Sequence, residues 1–375
     1  MPDTPTNDEL ALLDRHVVCL LGLPFDVLTL AGTVERLRTA ASRRQPCWLS
    51  TPNLNFLIAA HQDPQFRRSV LLSELSVADG MPVIWLARLL GLPLHERVAG
   101  SDVFEALHHG GGTEPMKSYF FGGPDGAAEA ACQRVNARGG AMRCVGWQSP
   151  GFGSMDSMSS DAVIGAINAT GPDFVVVSLG AKKGQTWIER NRPRLQAPLI
   201  SHLGAVVNFE AGTVRRAPPA WRRIGLEWLW RIVQEPALWR RYANDAAALL
   251  PMLWRQVLPL AWARWRRSHT PQPLEAQIDS RGDGTRLLRL SGACTAGTLA
   301  TLRTGCRQAL SVAGPIEIDL STVSDIDAEG MGTLLMLQSV QVRRGLACQV
   351  GRVSAVARQR LQQHGCADLL QRSGR

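Results

Sequence analysis

The chain has 375 residues with 41 Lys+Arg against 32 Asp+Glu, a formal charge of +9, and that length suits two or three domains with filled cores. Hydrophobic residues at 45%, charged residues at 19%, 35 Gly and 22 Pro exclude a disordered, collagenous or coiled-coil chain. The N-terminus, MPDTPTNDEL, lacks the basic start and apolar run of a signal peptide, and Arg255 interrupts the most apolar stretch, 246–263, so no conventional membrane-spanning helix is expected.

Short apolar runs rich in β-branched and aromatic residues then alternate with helical patterns. In order, the expected strands are HVVCLLG (16–22), CWLST (47–51), SVLLSELSV (69–77), SYFFGG (118–123), MRCVGW (142–147), DFVVVSLG (173–180) and PLISHLG (198–204). Helical patterns such as 33–43, 55–62, 126–139 and 161–170 lie between them. Apolar strands separated by helices predict a parallel sheet covered on both faces, so residues 10–214 read as a doubly wound α/β domain. From 215 to 265 the pattern is helical but broken by Pro236, Pro251 and Pro259. The polar, Pro-containing segment 266–274 reads as a linker. Beyond it, strands at 275–280, 286–292, 316–320 and 347–353 alternate with helices at 298–312, 329–345 and 355–365, a second, small α/β unit over 275–371.

The charge is concentrated in one place. Residues 215–267 hold eleven Arg against Glu227, Glu235 and Asp245, a net +8, together with seven of the eleven Trp. A solvated helix face would leave those Trp in water, and nucleic-acid binding lacks any accompanying module, so no nucleic-acid partner is assigned. The reading adopted is an amphipathic appendage at a membrane interface, with Trp at headgroup depth and Arg meeting anionic lipid.

In doubly wound sheets ligands collect at the carboxyl edge, where four polar loops follow expected strands: S-T-P-N-L-N, A-D-G-M-P, F-G-G-P and G-A-K-K-G-Q. Asp79 stands out as a short carboxylate able to accept a proton from an attacking hydroxyl, although local sequence alone favours it as the cap of a helix beginning near Met81, with Pro82 in its first turn. Gly122 and Gly123 before Pro124 would let backbone amides approach a phosphate at a helix start, while the motif by itself reads as a plain turn. No GxGxxG or P-loop is present, and the eight Cys form no CxxC pair or Cys/His cluster, so they read as reduced, mostly packed thiols. Asp325-Ile-Asp327, formally a D-x-D, lies in the second unit and reads as structural.

Seven motifs in chain order carry a resemblance. T-P-N (51–53), A-D-G-M-P (78–82), R-V-A-G-S-D (97–102), F-F-G-G-P (120–124), S-L-G-A-K-K-G-Q-T-W-I (178–188), H-L-G-A-V-V-N-F-E-A-G (202–212) and the R-R-A-P, G-L-E-W-L-W-R, E-P, R-R-Y series through 242 resemble the WecG/TagA/CpsF glycosyltransferases (glycosyltransferase family 26). The resemblance implies metal-independent, inverting transfer of a sugar, typically N-acetylmannosamine-like, from a UDP donor to a polyprenyl-diphosphate-linked acceptor in surface-polysaccharide assembly, with no cofactor. By position it makes Asp79 the general base and Thr51, Asn53 and Arg97 pocket residues, with Asp102, Gly122, Gly123, Lys183 and Gln185 in the same motifs. Arg97, Arg231 and Arg241 are the expected cations for the departing diphosphate. The sequence departs from the family at Gly184 and Gln185, where P-K-Q-E is usual, at Asn208 for the Asp of D-F, and at Leu238 for an Arg.

Residues 275–371 resemble a STAS domain through I-E-I-D-L-S-T-V-S-D-I-D-A-E-G-M-G-T-L-L (316–335). That resemblance implies a regulatory or docking module with a possible protein partner. Ala328 and Glu329 replace the two Ser of the family turn, so Glu329 reads as either a fixed negative charge or a residue favouring the helix start. The expected location is cytoplasmic, at the inner face of the cell membrane. The alternative reading of the whole chain is a noncatalytic sugar-nucleotide sensor signalling through the STAS unit.

Overall fold

The computed structural model describes residues 5–111, 114–151, 153–218, 221, 225–236, 238–265 and 272–370. The run HVVCLLG does not join the parallel sheet. It supplies β1 (Val17–Leu20), which folds back on β2 (Leu23–Asp26) as an antiparallel hairpin. Leu21 and Gly22, with φ of 49° and 86°, form a two-residue turn whose positive φ values match the strand twist.

The expected parallel sheet is present with six strands: β3 (Cys47–Ser50), β4 (Leu75–Ser76), β5 (Met116–Gly122), β6 (Met142–Gln148), β7 (Phe174–Ser178) and β8 (Leu199–His202). Their order is β4-β3-β8-β7-β5-β6, and every neighbouring pair is parallel. β7 is buried along its whole length, as expected for a β-branched strand covered on both sides. Val176 packs with Phe104, Leu107 and Val135 on one face, while Val175 and Val177 pack with Trp48, Trp187 and Ile188 on the other.

The run 69–77, expected as a strand, is mostly helix and loop. Asp63 caps the helix Pro64–Leu71, accepting from the N–H groups of Gln65 and Phe66, with Pro64 in the first turn. The cap and the proline start a helix that carries through Leu71, leaving only Leu75 and Ser76 for β4. Cys132 and Cys144, expected as thiols, are joined by a disulfide: the helix Ala127–Arg138 lies against β6, bringing their Cα atoms to 5.2 Å. The other six Cys are free.

The C-terminal unit has β9 (Glu275–Ser280), β10 (Arg286–Cys294), β11 (Ile316–Ile326) and β12 (Cys348–Val353) in the order β12-β11-β10-β9, with β9 antiparallel to β10 and the rest parallel. Asp327 caps the following helix, Ala328–Arg343, through the N–H groups of Glu329 and Gly330, and Asp325 accepts from Arg360 at 2.7 Å. Both acids of the D-x-D therefore have structural roles. The core of this unit continues into the N-terminal part of the chain, where Leu12, Leu13, Val17, Cys19 and Leu71 join the same apolar cluster as Leu334 and Leu335.

The hairpin is tied to the parallel sheet by a buried ion pair. Arg15 and Asp26, 4% and 3% exposed, meet through two N–H···O bonds of 3.0 and 2.7 Å. Asp26 also accepts from the Ser76 N–H at 2.7 Å, and Arg15 donates to the Ser73 carbonyl at 2.9 Å. Asp26→Ala leaves the Arg15 charge buried without a partner and is predicted to cost about 3–5 kcal/mol, measured as a lowered urea midpoint; an unchanged midpoint would contradict this account.

Candidate active site

A cleft of about 980 Å3 opens at the carboxyl edge of the parallel sheet, the position expected for a doubly wound fold. Residues just beyond β3, β4, β5, β7 and β8 line it, including Thr51, Asp79, Gly123, Gly180 and Leu203. Each of these strands leads into a helix whose N-terminus faces the same edge, so unpaired N–H groups and positive dipole ends favour an anion there.

Asp79 lies in this wall. Its N–H donates to the Pro52 carbonyl at 3.0 Å. The helix Met81–Leu90 starts after Gly80, with no side-chain cap, so the capping role open to Asp79 in sequence is not taken. Burial pushes its carboxyl pKa up to about 7; Arg97 opposes the shift, while Glu227 and Asp102 reinforce it. Desolvation outweighs the pull of Arg97, leaving a carboxyl that exchanges its proton near neutrality.

Arg97 is held between two acids, donating to Glu227 at 2.5 Å and to Asp102 at 2.7 Å. Glu227 belongs to the basic, Trp-rich segment, whose helix Glu227–Gln234 is thereby drawn over the cleft. Arg216 ties down the same segment through Asp102 and Glu105. Arg231 and Arg241 line the cleft beside Trp228, Tyr242 and Asp245, and Asn55 donates to Asp245 at 3.2 Å, fastening the helix Leu238–Met252 to the cleft wall. Arg231 pairs with Glu235 at 3.7 Å and Arg241 with Asp245 at 4.0 Å. A guanidinium carries five N–H donors, so each retains capacity for a ligand.

The other residues singled out in sequence divide. Thr51, Asn53, Gly123 and Lys183 line the cleft; Asn53 also caps the helix Leu54–Gln62 through the Phe56 N–H at 3.2 Å, and the Lys183 ammonium donates to the Gly153 carbonyl at 3.0 Å. Three do not line it. Gln185 points into the core and donates to the Ser50 hydroxyl at 3.0 Å, because its helical position faces the sheet. Asp102 acts behind Arg97. Gly122 packs on the Ser178 carbonyl, which a Cβ would approach to 2.5 Å.

His202 went unnoticed in sequence. It lines the cleft at the end of β8, its Nε2 is buried without a hydrogen-bond partner, and burial pushes its pKa down to about 4, keeping the ring neutral. The departure at Gly184 makes this placement possible: a Cβ there would lie 2.2 Å from His202 Cδ2. The signal was the loss of a family side chain at 184, but only packing reveals which residue fills the space. Gly184→Ala is predicted to destabilise the chain by about 1–3 kcal/mol through overpacking, and His202→Ala to relieve that loss in the double variant, read by thermal unfolding; no loss in the single variant would contradict the contact.

Among the described residues, no group of three or more His, Cys, Asp or Glu is arranged to hold a metal ion, and no helix is long and apolar enough to cross a membrane.

A doubly wound sheet whose carboxyl-edge cleft gathers a buried carboxyl with a raised pKa and several guanidinium groups has the architecture of an α/β enzyme. The profile of the glycosyl transferase WecG/TagA/CpsF family matches residues 18–263, more than half of the chain, and the chain belongs to that family: it is a glycosyltransferase. The Mlab, STAS domain profile matches residues 278–371, so the C-terminal unit is a STAS domain. The N-acetylglucosaminyldiphosphoundecaprenol N-acetyl-beta-D-mannosaminyltransferase of Bacillus spizizenii is 26% identical over 213 residues, which cover 56% of this chain and 81% of that relative.

Proposed function

We propose that the enzyme transfers a sugar of the N-acetylmannosamine type from a UDP donor, with inversion and without a metal, to a polyprenyl-diphosphate-linked sugar at the inner face of the cell membrane. The observation that carries this reading is the raised carboxyl of Asp79 beside Arg97 in the cleft. The acceptor oxygen attacks the anomeric carbon from the face opposite UDP, the bond from that carbon to the diphosphate oxygen breaks, and Asp79 takes the acceptor proton. Arg97, Arg231 and Arg241, with the helix N-termini, stabilise the charge that develops on the departing diphosphate. The relative's name supports the choice of sugar and of a lipid-linked acceptor. The STAS domain has no chemistry of its own in this reading and acts as a regulatory or docking part.

Turnover of UDP-N-acetylmannosamine with a polyprenyl-diphosphate N-acetylglucosamine acceptor tests the proposal. Asp79→Asn is expected to lower kcat about 10²–10⁴-fold. A base must be deprotonated to act, so wild-type kcat/KM should rise with pH and level off above about 7, a limb that Asp79→Asn lacks. A wild-type enzyme inactive across a panel of UDP-sugars would sink the reading.

The membrane part rests on apolar side chains left in solvent. Trp239, Trp254, Trp262 and Trp265 are 55%, 72%, 54% and 83% exposed, and Trp85 and Leu89 of the helix Met81–Leu90 are about half exposed. Helix 258–265 packs on Met81–Leu90, so this surface adjoins the cleft, which Trp85 also lines. Burying one large apolar side chain contributes about 1.5–3 kcal/mol, and 1.4 kcal/mol is about tenfold in affinity. The triple variant Trp254→Ala, Trp262→Ala, Trp265→Ala is therefore expected to bind phosphatidylglycerol vesicles at least about tenfold more weakly in sedimentation; equal binding would exclude this face.

A further inference from the structure

The helix Ala328–Arg343 is buried on nearly every side, one side facing its own sheet and another the catalytic domain. Gly332 lies against β1 so closely that a Cβ would come within 2.3 Å of the Val17 carbonyl oxygen. Two turns along, Ser339 donates to the Leu71 carbonyl at 2.8 Å. Arg343 donates to the Leu72 carbonyl and, at 2.6 Å, to Glu74. Glu74 in turn accepts from Arg192 at 2.5 Å and from the Trp48 N–H of β3 at 2.7 Å.

Contacts around this helix extend the interface. Arg303 donates to the Arg15 carbonyl at 3.0 Å, Glu329 faces His16 at 3.3 Å, and Arg307 pairs with Asp14. At the far end Arg67 pairs with Asp368 while donating to the Gly22 carbonyl at 2.9 Å, and the Cys19 and Cys366 sulfurs are 3.6 Å apart. An interface of backbone carbonyls, buried charges and a shared apolar cluster is built like a core, not like a transient contact.

We propose that the partner of the STAS domain is the catalytic domain of its own chain, and that this docking positions the segment leading to Asp79. Glu74 immediately precedes β4 and Leu72 lies two residues before Glu74, both held by Arg343, and three residues beyond β4 lies Asp79. Arg343 is thus a positioning residue. A second protein seeking this face would have to displace a tethered domain whose effective concentration is on the order of millimolar. The positioning half rests on the reading of Asp79 as the base; the docking half does not.

The test uses the full chain with a site-specific protease sequence in place of residues 267–271, cut after purification. The two pieces are expected to co-elute in gel filtration at the mass of the intact chain and to retain its turnover; separation of the wild-type pieces would overturn the docking. With Gly332→Leu the cut pieces are expected to separate, and co-elution would overturn the assigned contact. Should that variant fail to fold, Arg343→Glu is read the same way. Arg343→Ala in the uncut chain is expected to lower kcat about tenfold with KM little changed, since a displacement of about 1 Å in a catalytic group costs up to about a hundredfold; an unchanged kcat would overturn the positioning half alone. Full activity in Asp79→Asn would remove the base reading and leave the gel-filtration result standing.

Discussion

The strand that delivers Asp79 is two residues long. Leu75 and Ser76 pair only with Leu49 and Ser50 of β3, at the edge of the sheet, and so short a ladder holds its own place weakly. Buried charges do the holding. Asp26 accepts from the Ser76 N–H, Arg15 takes the Ser73 carbonyl, and Glu74 gathers Arg192, Arg343 and the backbone of β3. Charges taken out of water are tolerated only when fully paired, so the groups that order β4 also lock together the hairpin, the sheet and the C-terminal unit.

The cleft balances opposed electrostatic effects. Burial raises the pKa of Asp79 while Arg97 lowers it, and Glu227 and Asp102 soften the influence of Arg97 by sharing its guanidinium. Because Glu227 comes from the basic segment, the state of the carboxyl depends on that segment being folded over the cleft. The exposed Trp of the same segment and the half-exposed Trp85 place an apolar surface beside the opening.

Much of the fold was legible because strand and helix periodicities are local. The apolar and aromatic runs of β3, β5, β7 and β8 are mostly buried and read as strands of a covered sheet. The run 69–77 misled because apolar composition alone does not separate a buried helix from a strand, and the Asp63-Pro64 start signal outweighed it. HVVCLLG was recognised as a strand but placed in the wrong sheet, since Leu21 in the turn gives no cue of a positive φ. Within the cleft, the loop motifs supplied Thr51, Asn53, Asp79, Gly123 and Lys183, and the family resemblance added Arg97, Arg231 and Arg241; all eight line the same cleft. Gln185 was misplaced because its inward direction follows from helix phase against the sheet, and His202 was missed because its position depends on the side chain absent at 184.

Local chemistry was the part the sequence determined by itself: which segments become strands and helices, which loops crowd one sheet edge, and that the positive charge lies in a single Trp-rich stretch. These follow from side-chain size, polarity and spacing along the chain. Tertiary structure decided whether Asp79 caps a helix or faces a cleft, which acids share Arg97, and which residues of the STAS domain meet the catalytic core. Each of those outcomes depends on desolvation and on partners distant in the chain, quantities that exist only once the chain has packed.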